Sequence, residues 1–322
     1  MKFLILKILL ILSILSISFY GPYKSFLSYK NSFETKIIYI PNGLSKLSIL
    51  NEIYKSNNFI EDLYIRLFLF FNNGNYQAGE YDLNDLSLLD IHTNLIKGNT
   101  VTHQISIIPG MNKFEINKVI NNSFLVNDCV LLSCITNSLH FNEGVITPDT
   151  YFYKFNMKAS NLLINSSDKF FKYSNNLWAN KPDKNPLKSL EEALILASII
   201  EKEAGNESEK PLIAAVFLKR ISLGMKLQAD PTIIYGLLPD FDGDIKKSDI
   251  YDKNNAYNTY VINSLPPSPI ATSSKSSIKA AILSTPGDYL YFVANKKGSH
   301  YFSKTYKEHL EAVKLYQLQW IT

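Results

Sequence analysis

The sequence predicts an α+β protein carried on one N-terminal membrane helix, with a small α/β unit ahead of a larger mixed domain. Three observations predict it. An apolar run opens the chain from Phe3 to Tyr20, with Lys7 as its only charge. Strand-like and helix-like spacings then alternate from residue 36 to residue 108. From Pro109-Gly110 onward helical spacing dominates, and the clearest strand comes late, at Tyr289–Val293.

Composition bounds the rest. With 322 residues, 46% of them hydrophobic and 19% charged, there is enough apolar material for one large or two medium cores. A net charge of +4, with no basic patch interleaved with aromatics, argues against nucleic acid as a partner. The five histidines have no metal-ligand spacing on one helix, and Cys129 and Cys134 have no second pair beside them. No metal and no cofactor is expected. The two cysteines are open to two readings, a small disulfide outside the cytoplasm or two buried thiols.

The run from Phe3 to Tyr20 is at the short limit for a membrane-spanning helix. Lys2 and Lys7 place its start on the cytoplasmic side, so the rest of the chain would be exported. Residues 1–21 are therefore expected to be a signal-anchor helix. A cleaved signal peptide, with Ser16 and Ser18 near the processing site, is the rival. Residues 22–35 read as a polar and aromatic tether.

Lys36–Ile40 reads as a strand closed by Pro41-Asn42-Gly43. Helical spacing follows over Ser45–Asn57. Ile60–Phe71 is so apolar that burial on most sides is expected. Ala78–Leu83 turns into a short strand. Leu88–Lys97 is a helix with Ser87 before it and Gly98 after it, the residue types that cap helix starts and ends. Thr100–Ile108 alternates as a strand. In the larger region, helices are expected over Lys113–Ile120, over Asp128–Ser138 with both cysteines on it, over Ser160–Leu177 and over Lys210–Leu223. The stretch Glu143–Tyr151 is rich in turn residues. A hairpin-like return after Tyr289–Val293 carries His300, and a final helix runs from Tyr306 to Gln319 with His309 on it.

The candidate chemistry gathers around Leu190–Tyr235. Leu190–Ala204 is helical in pattern, with Ser189 as N-cap and Glu191 and Glu192 in the first turn. At about 100° per residue, Leu196, Ile199, Ile200 and Glu203 share one face, while Glu201 projects to nearly the opposite side. A carboxyl among aliphatic side chains is disfavoured as an anion, so Glu203 should hold its proton to higher pH, as a general acid requires. The competing reading is that Glu203 simply ends the helix in solvent. Gln228, Asp230 and Thr232 stand just before a short helix at Ile233–Leu237, where Asp230 and Pro231 also suit a capping arrangement. Ala256–Tyr260 puts two rings, Tyr257 and Tyr260, beside the amide of Asn258 and the hydroxyl of Thr259, a mixture that suits sugars and equally a buried turn. Leu265–Ile270, with three prolines, cannot be a central strand.

The segments ASIIEKEA, LQADPTIIYG, YNTYVI, LPPSPIA, DYLYFVA and GSHYFSKT, in this order, resemble the endolytic murein transglycosylases of the MltG (YceG-like) type. EGVITPDTY, AGEYDL and IPNG extend the likeness to nearly everything after residue 36. Serines at 264 and 268 stand where the family pattern has glycines, and Pro109-Gly110 where it has Glu-Gly. Those departures bear on loop geometry. The resemblance implies a single-pass inner-membrane enzyme with its catalytic domain in the periplasm, built from a LysM-like unit over 36–108 and a YceG-like catalytic domain over 109–322. It implies cleavage of the MurNAc–GlcNAc β-1,4 bond without water, leaving 1,6-anhydro ends and limiting the length of nascent glycan strands. Glu203, second glutamate of the E-K-E motif, would be acid and then base, and Gln228, Asp230, Thr232, Tyr257, Asn258 and Thr259 would bind substrate. Peptidoglycan strands, the inner membrane and peptidoglycan synthases are the partners this brings. The alternatives are a membrane-anchored scaffold that binds peptidoglycan without turnover, and a muramidase in which Asp230 serves as a second acid.

Overall fold

The computed structural model describes residues 2–30, 36–55 and 58–318. It is a mixed α+β fold with an apolar helix at its N-terminus. The chain divides into two compact units, one of residues 1–103 with 152–156 and one of residues 104–151 with 157–322.

The first unit begins with α1 (Lys2–Ser28), whose segment Ile5–Ser28 is long and apolar enough to cross a membrane. The helix runs on past Tyr20 through Gly21 and Pro22, where the sequence predicts a tether. Pro22 removes one backbone donor, but the turns beyond it gain contacts, since Phe26 and Leu27 pack against the core of the unit. The rest of the expected tether, residues 31–35, lies outside the described residues. β1 (Ile37–Ile40) pairs antiparallel with β2 (Gly79–Asp82), Ile37 opposite Asp82 and Ile40 opposite Gly79. Between them lie α2 (Lys46–Tyr54) and α3 (Phe59–Phe71), and after them α4 (Leu88–Lys97). The helix expected to reach Asn57 ends earlier, at Lys55 in the left-handed region, and residues 56 and 57 are outside the described ones. Ser87 caps α4 in a reciprocal capping box with Asp90, and Gly98 closes it at φ 67°. Leu50, Ile65, Leu88, Ile91 and Leu95 are fully enclosed, each worth about 1.5–3 kcal/mol of hydrophobic burial.

One expectation fails here. The helix α3 is not buried on most sides. Tyr64, Ile65 and Phe68 enter the core, but Phe59, Phe70 and Phe71 stand in the open.

β3 (His103–Ile107) pairs with β4 (Asp149–Tyr153) in a second two-stranded sheet. α5 (Lys113–Asn121) follows β3, held by an Asn112–Glu115 capping box. No α-helix carries the cysteines. Residues 130–132 form a single 3-10 turn with Leu131 and Leu132 at positive φ, and Cys129 is disulfide-bonded to Cys134. Residues five apart on an α-helix point about 140° away from each other, so the bond and the helix exclude one another. α6 (Ala159–Trp178) leads to α7 (Leu190–Glu203), the centre of the second unit. From Ala193 to Ile200 every residue of α7 is buried, which makes it a core helix rather than a one-sided amphipathic one. α8 (Lys210–Ser222), α9 (Asp230–Gly236) and α11 (Lys275–Leu283) pack around it, with the short α10 (Lys247–Tyr251) between the last two in sequence. β5 (Tyr291–Ala294) and β6 (His300–Ser303) form an antiparallel hairpin. α12 (Tyr306–Val313) follows it and passes into a π-helical turn at Lys314–Leu318; the predicted end at Gln319 is outside the described residues.

Candidate active site

The last turn of α7 carries two glutamates with opposite fates. Glu201 faces α11 and α8. It accepts hydrogen bonds from the Ser274 backbone at 2.9 Å and from the Ser274 and Ser277 hydroxyls at 2.5 and 2.6 Å, and it pairs with Lys210 at 3.2 Å. Burial works to raise its pKa, but these hydrogen bonds and the Lys210 charge outweigh it and the carboxyl titrates below its ordinary value. Lys210, itself buried, also meets Glu207, Ser274 and Ser276. This cluster ties α7, α8 and the N-cap of α11 together.

Glu203, two residues on, has no hydrogen-bond partner among the described residues, and its carboxyl borders a cavity of about 540 Å³. Surrounding protein desolvates the carboxyl, the negative charge of Asp230 adds to the effect, and Arg220 opposes it. The balance pushes the pKa of Glu203 up to about 7. Near neutral pH, then, Glu203 exists in both protonated and ionised forms.

Arg220, near the end of α8, is locked by its own hydrogen bonds, donating from Nε to the Leu290 carbonyl at 2.8 Å and from Nη1 to the Leu227 carbonyl at 2.5 Å. Its guanidinium lies over the Tyr291 ring at 5.4 Å. A second wall comes from the segment before α9. Gln228 sits at φ 51°, a left-handed conformation that non-glycine residues adopt only when their surroundings enforce it. Its amide donates to the Thr259 carbonyl at 3.2 Å. The Thr259 hydroxyl accepts from the Ala229 amide at 2.9 Å and bonds the Thr232 hydroxyl at 2.9 Å, while Thr232 donates to the Ala229 carbonyl at 2.6 Å. This fully buried clamp presents Gln228 and Asp230 to the cavity. Tyr260 lines the cavity beside them and donates to Asp230 Oδ1 at 2.6 Å. The third wall is the β5–β6 hairpin with α12. There Glu209 accepts from the His300 amide at 2.6 Å and pairs with His300 Nδ1 at 3.0 Å, and His309 stacks on Tyr291 at 5.1 Å.

Of the residues the sequence singles out, Glu203, Gln228 and Asp230 line the same cavity. Thr232 and Thr259 are buried in the clamp behind it. Asn258 is buried and donates to the carbonyls of Asp249, Ile250 and Asp252, and Tyr257 bonds the Ser268 hydroxyl at 2.7 Å and packs on Tyr235. Asp230 does not cap α9: Ala229 holds that position, and Asp230 and Pro231 are its first two residues. Arg220, Glu209 and Tyr291 emerge only in three dimensions, because the two ends of α8 and the start of β5 meet only in the fold. No group of three or more potential metal ligands occurs among the described residues.

Comparison with known proteins gives a consistent pattern. The model of the YceG-like family matches residues 38–315. The endolytic murein transglycosylase of Bacillus subtilis (strain 168) is 30% identical over 316 residues, 89% of this chain and 86% of that protein. That of Streptococcus pneumoniae (serotype 2, strain D39) is 30% identical over 172 residues, 52% of this chain and 31% of that one. A crystal structure of a YceG-like protein from Listeria monocytogenes superposes with a TM-score of 0.53 at 28% identity, covering 88% of this chain and 99% of that chain.

Proposed function

The chain belongs to the YceG-like family, and from that premise we propose that it is a membrane-anchored endolytic transglycosylase of peptidoglycan, with Glu203 as its acid and its base. The observation that carries the proposal is the Glu203 carboxyl, unpartnered at the end of a buried helix and pushed up to about 7 beside an open cavity. The names of the relatives from Bacillus and Streptococcus support the same reaction.

In the first step protonated Glu203 gives its proton to the departing glycosidic oxygen as the bond to C1 of MurNAc breaks, leaving positive charge at C1. In the second the C6 hydroxyl attacks C1 and returns its proton to the Glu203 carboxylate, so that no water is consumed. Asp230 suits both steps. Its negative charge favours the protonated acid at the start and makes the ionised Glu203 a stronger base afterward. Tyr260 holds the Asp230 carboxylate in place. Gln228 offers an amide to the sugar edge, and the Tyr260 ring offers a flat apolar face. Thr232, Tyr257, Asn258 and Thr259 act by positioning these groups.

The finer organisation belongs to the same proposal. α1 crosses the inner membrane once with its N-terminus in the cytoplasm, residues 36–108 form a LysM-like module, and 109–322 act on nascent strands in the periplasm, alongside peptidoglycan synthases. The Cys129–Cys134 bond supports an oxidising compartment. The presence of Asp230 on the same cavity favours one second reading, a muramidase in which it activates water.

Digestion of purified glycan strands by the full chain, read by mass spectrometry, tests both. The expected products carry anhydro ends, one water lighter than reducing ends, and Glu203→Gln lowers their rate by roughly 10²–10⁴-fold. Reducing ends would replace the transglycosylase with the hydrolase. Strands bound but uncut by the wild type would mean a scaffold.

A further inference from the structure

The helix α3 has two apolar faces, and only one of them is covered by protein. Tyr64, Ile65 and Phe68 are buried in the first unit, while Phe59, Ile60, Leu63, Phe70 and Phe71 are 80%, 52%, 40%, 78% and 69% exposed. At about 100° per residue these five, with Leu67 among them, fall within a stripe roughly 120° wide that runs the full length of the helix. Asp62 and Arg66, paired at 2.6 Å, border it on one side. Monomeric soluble proteins seldom leave a continuous face of this kind in water.

Its position says what covers it. Tyr64, one turn along α3, meets Phe19 and Tyr23 of α1 with ring centroids 5.4 Å away in each case, and Phe26 of α1 packs on both Tyr64 and Tyr54 at 5.5 Å. The apolar segment of α1, Ile5–Ser28, has 24 residues, somewhat more than the about 20 that span a hydrocarbon core. Counted from Lys2, about 20 residues of crossing end near Pro22, so Phe19, Tyr20 and Tyr23 stand at the level where aromatic side chains mark the interface. A helix packed against Phe19 and Tyr23 is at that level too.

We propose that the exposed face of α3 is seated in the membrane surface where α1 emerges, with Phe59, Leu63 and Phe70 among the acyl chains and Asp62 and Arg66 toward water. The proposal rests on the reading of α1 as a membrane crossing. It adds a second contact, an interfacial helix lying along the bilayer, which prevents the first unit from swinging freely on its anchor. Since the polar side of α3 carries Glu61 and Asp62 as well as Arg66, the attachment is driven by apolar burial and does not need anionic lipid.

The test uses the full chain in vesicles of palmitoyl-oleoyl phosphatidylethanolamine and phosphatidylglycerol. A nitroxide is placed at Phe59→Cys, Leu63→Cys, Phe70→Cys, Arg66→Cys or Leu10→Cys, the native cysteines being joined to each other. Collision with oxygen, which concentrates in lipid, is compared with collision with a water-soluble nickel chelate. The expected result is a severalfold higher oxygen-to-nickel ratio at 59, 63 and 70 than at 66, with position 10 the most lipid-exposed of all. It persists in vesicles of phosphatidylcholine alone. Lipid exposure at 10 with water exposure at 59, 63 and 70 overturns the inference and leaves the anchor standing. Water exposure at 10 overturns both. Exclusion of both relaxants at 59, 63 and 70, with dipolar broadening between labels, would assign the face to a second copy of the chain.

Discussion

Replacing Glu203 by glutamine should stabilise the protein at alkaline pH while lowering its activity by roughly 10²–10⁴-fold. The pKa of Glu203 rises from 4.5 to about 7 on folding, so between those values the folded state binds a proton that the unfolded chain has released. Stability therefore falls as pH rises through this window. At about 1.36 kcal/mol per pH unit, the loss amounts to about 3 kcal/mol by pH 8 and is absent at pH 4. Glutamine keeps the shape and carries no charge at any pH. For a unit of this size the difference corresponds to a melting temperature raised by roughly 6–12 °C in Glu203→Gln at pH 8, with the two proteins melting together near pH 4. Paired thermal melts at the two pH values measure it. An equal offset at both pH values, or none at pH 8, would show that Glu203 is not a desolvated acid and would remove the physical basis for its role.

Two other outcomes follow from the same geometry. Asp230→Asn takes away the like charge beside Glu203, so the alkaline fall in kcat/KM, set by ionisation of the acid near pH 7, should move down by about one pH unit; a fall that stays in place would mean that Asp230 acts only on substrate. Lys210→Met leaves Glu201 buried among serines without its cation and should cost about 3–5 kcal/mol in denaturant unfolding, whereas a loss below about 1 kcal/mol would mean the serines alone suffice.

The parts of this fold legible in the sequence are those settled by local spacing. Ser87 and Gly98 bracket α4 because capping is a matter of a few adjacent backbone groups. Glu201 and Glu203 separate because two residues on a helix turn about 200°, and that alone sends one carboxyl to Lys210 and the other to the cavity. α3 misleads for an equally physical reason. Its residues are apolar nearly all round, and periodicity does not tell whether protein or another apolar medium covers each side. α11 escapes notice because TSSKSSIKAAIL is short and serine-rich, although in the fold it supplies the hydroxyls that satisfy Glu201. Thr232 and Thr259 look like sugar ligands in the chain because a short polar side chain has the same appearance whether it bonds a substrate or a neighbouring carbonyl. Arg220 and Tyr291 gain meaning only once residues far apart in sequence converge on one cavity.

The walls of that cavity come from distant parts of the chain, and this bears on how the acid keeps its proton. Glu203 ends α7, well before the hairpin and α12 in sequence, yet His300, Tyr306, His309 and Val313 line the same cavity. Loss of α12 would therefore open the cavity to water and rehydrate the Glu203 carboxyl, which would lose the desolvation that keeps its proton on. The proton-holding property of one carboxyl thus depends on the seating of a helix far from it in the chain.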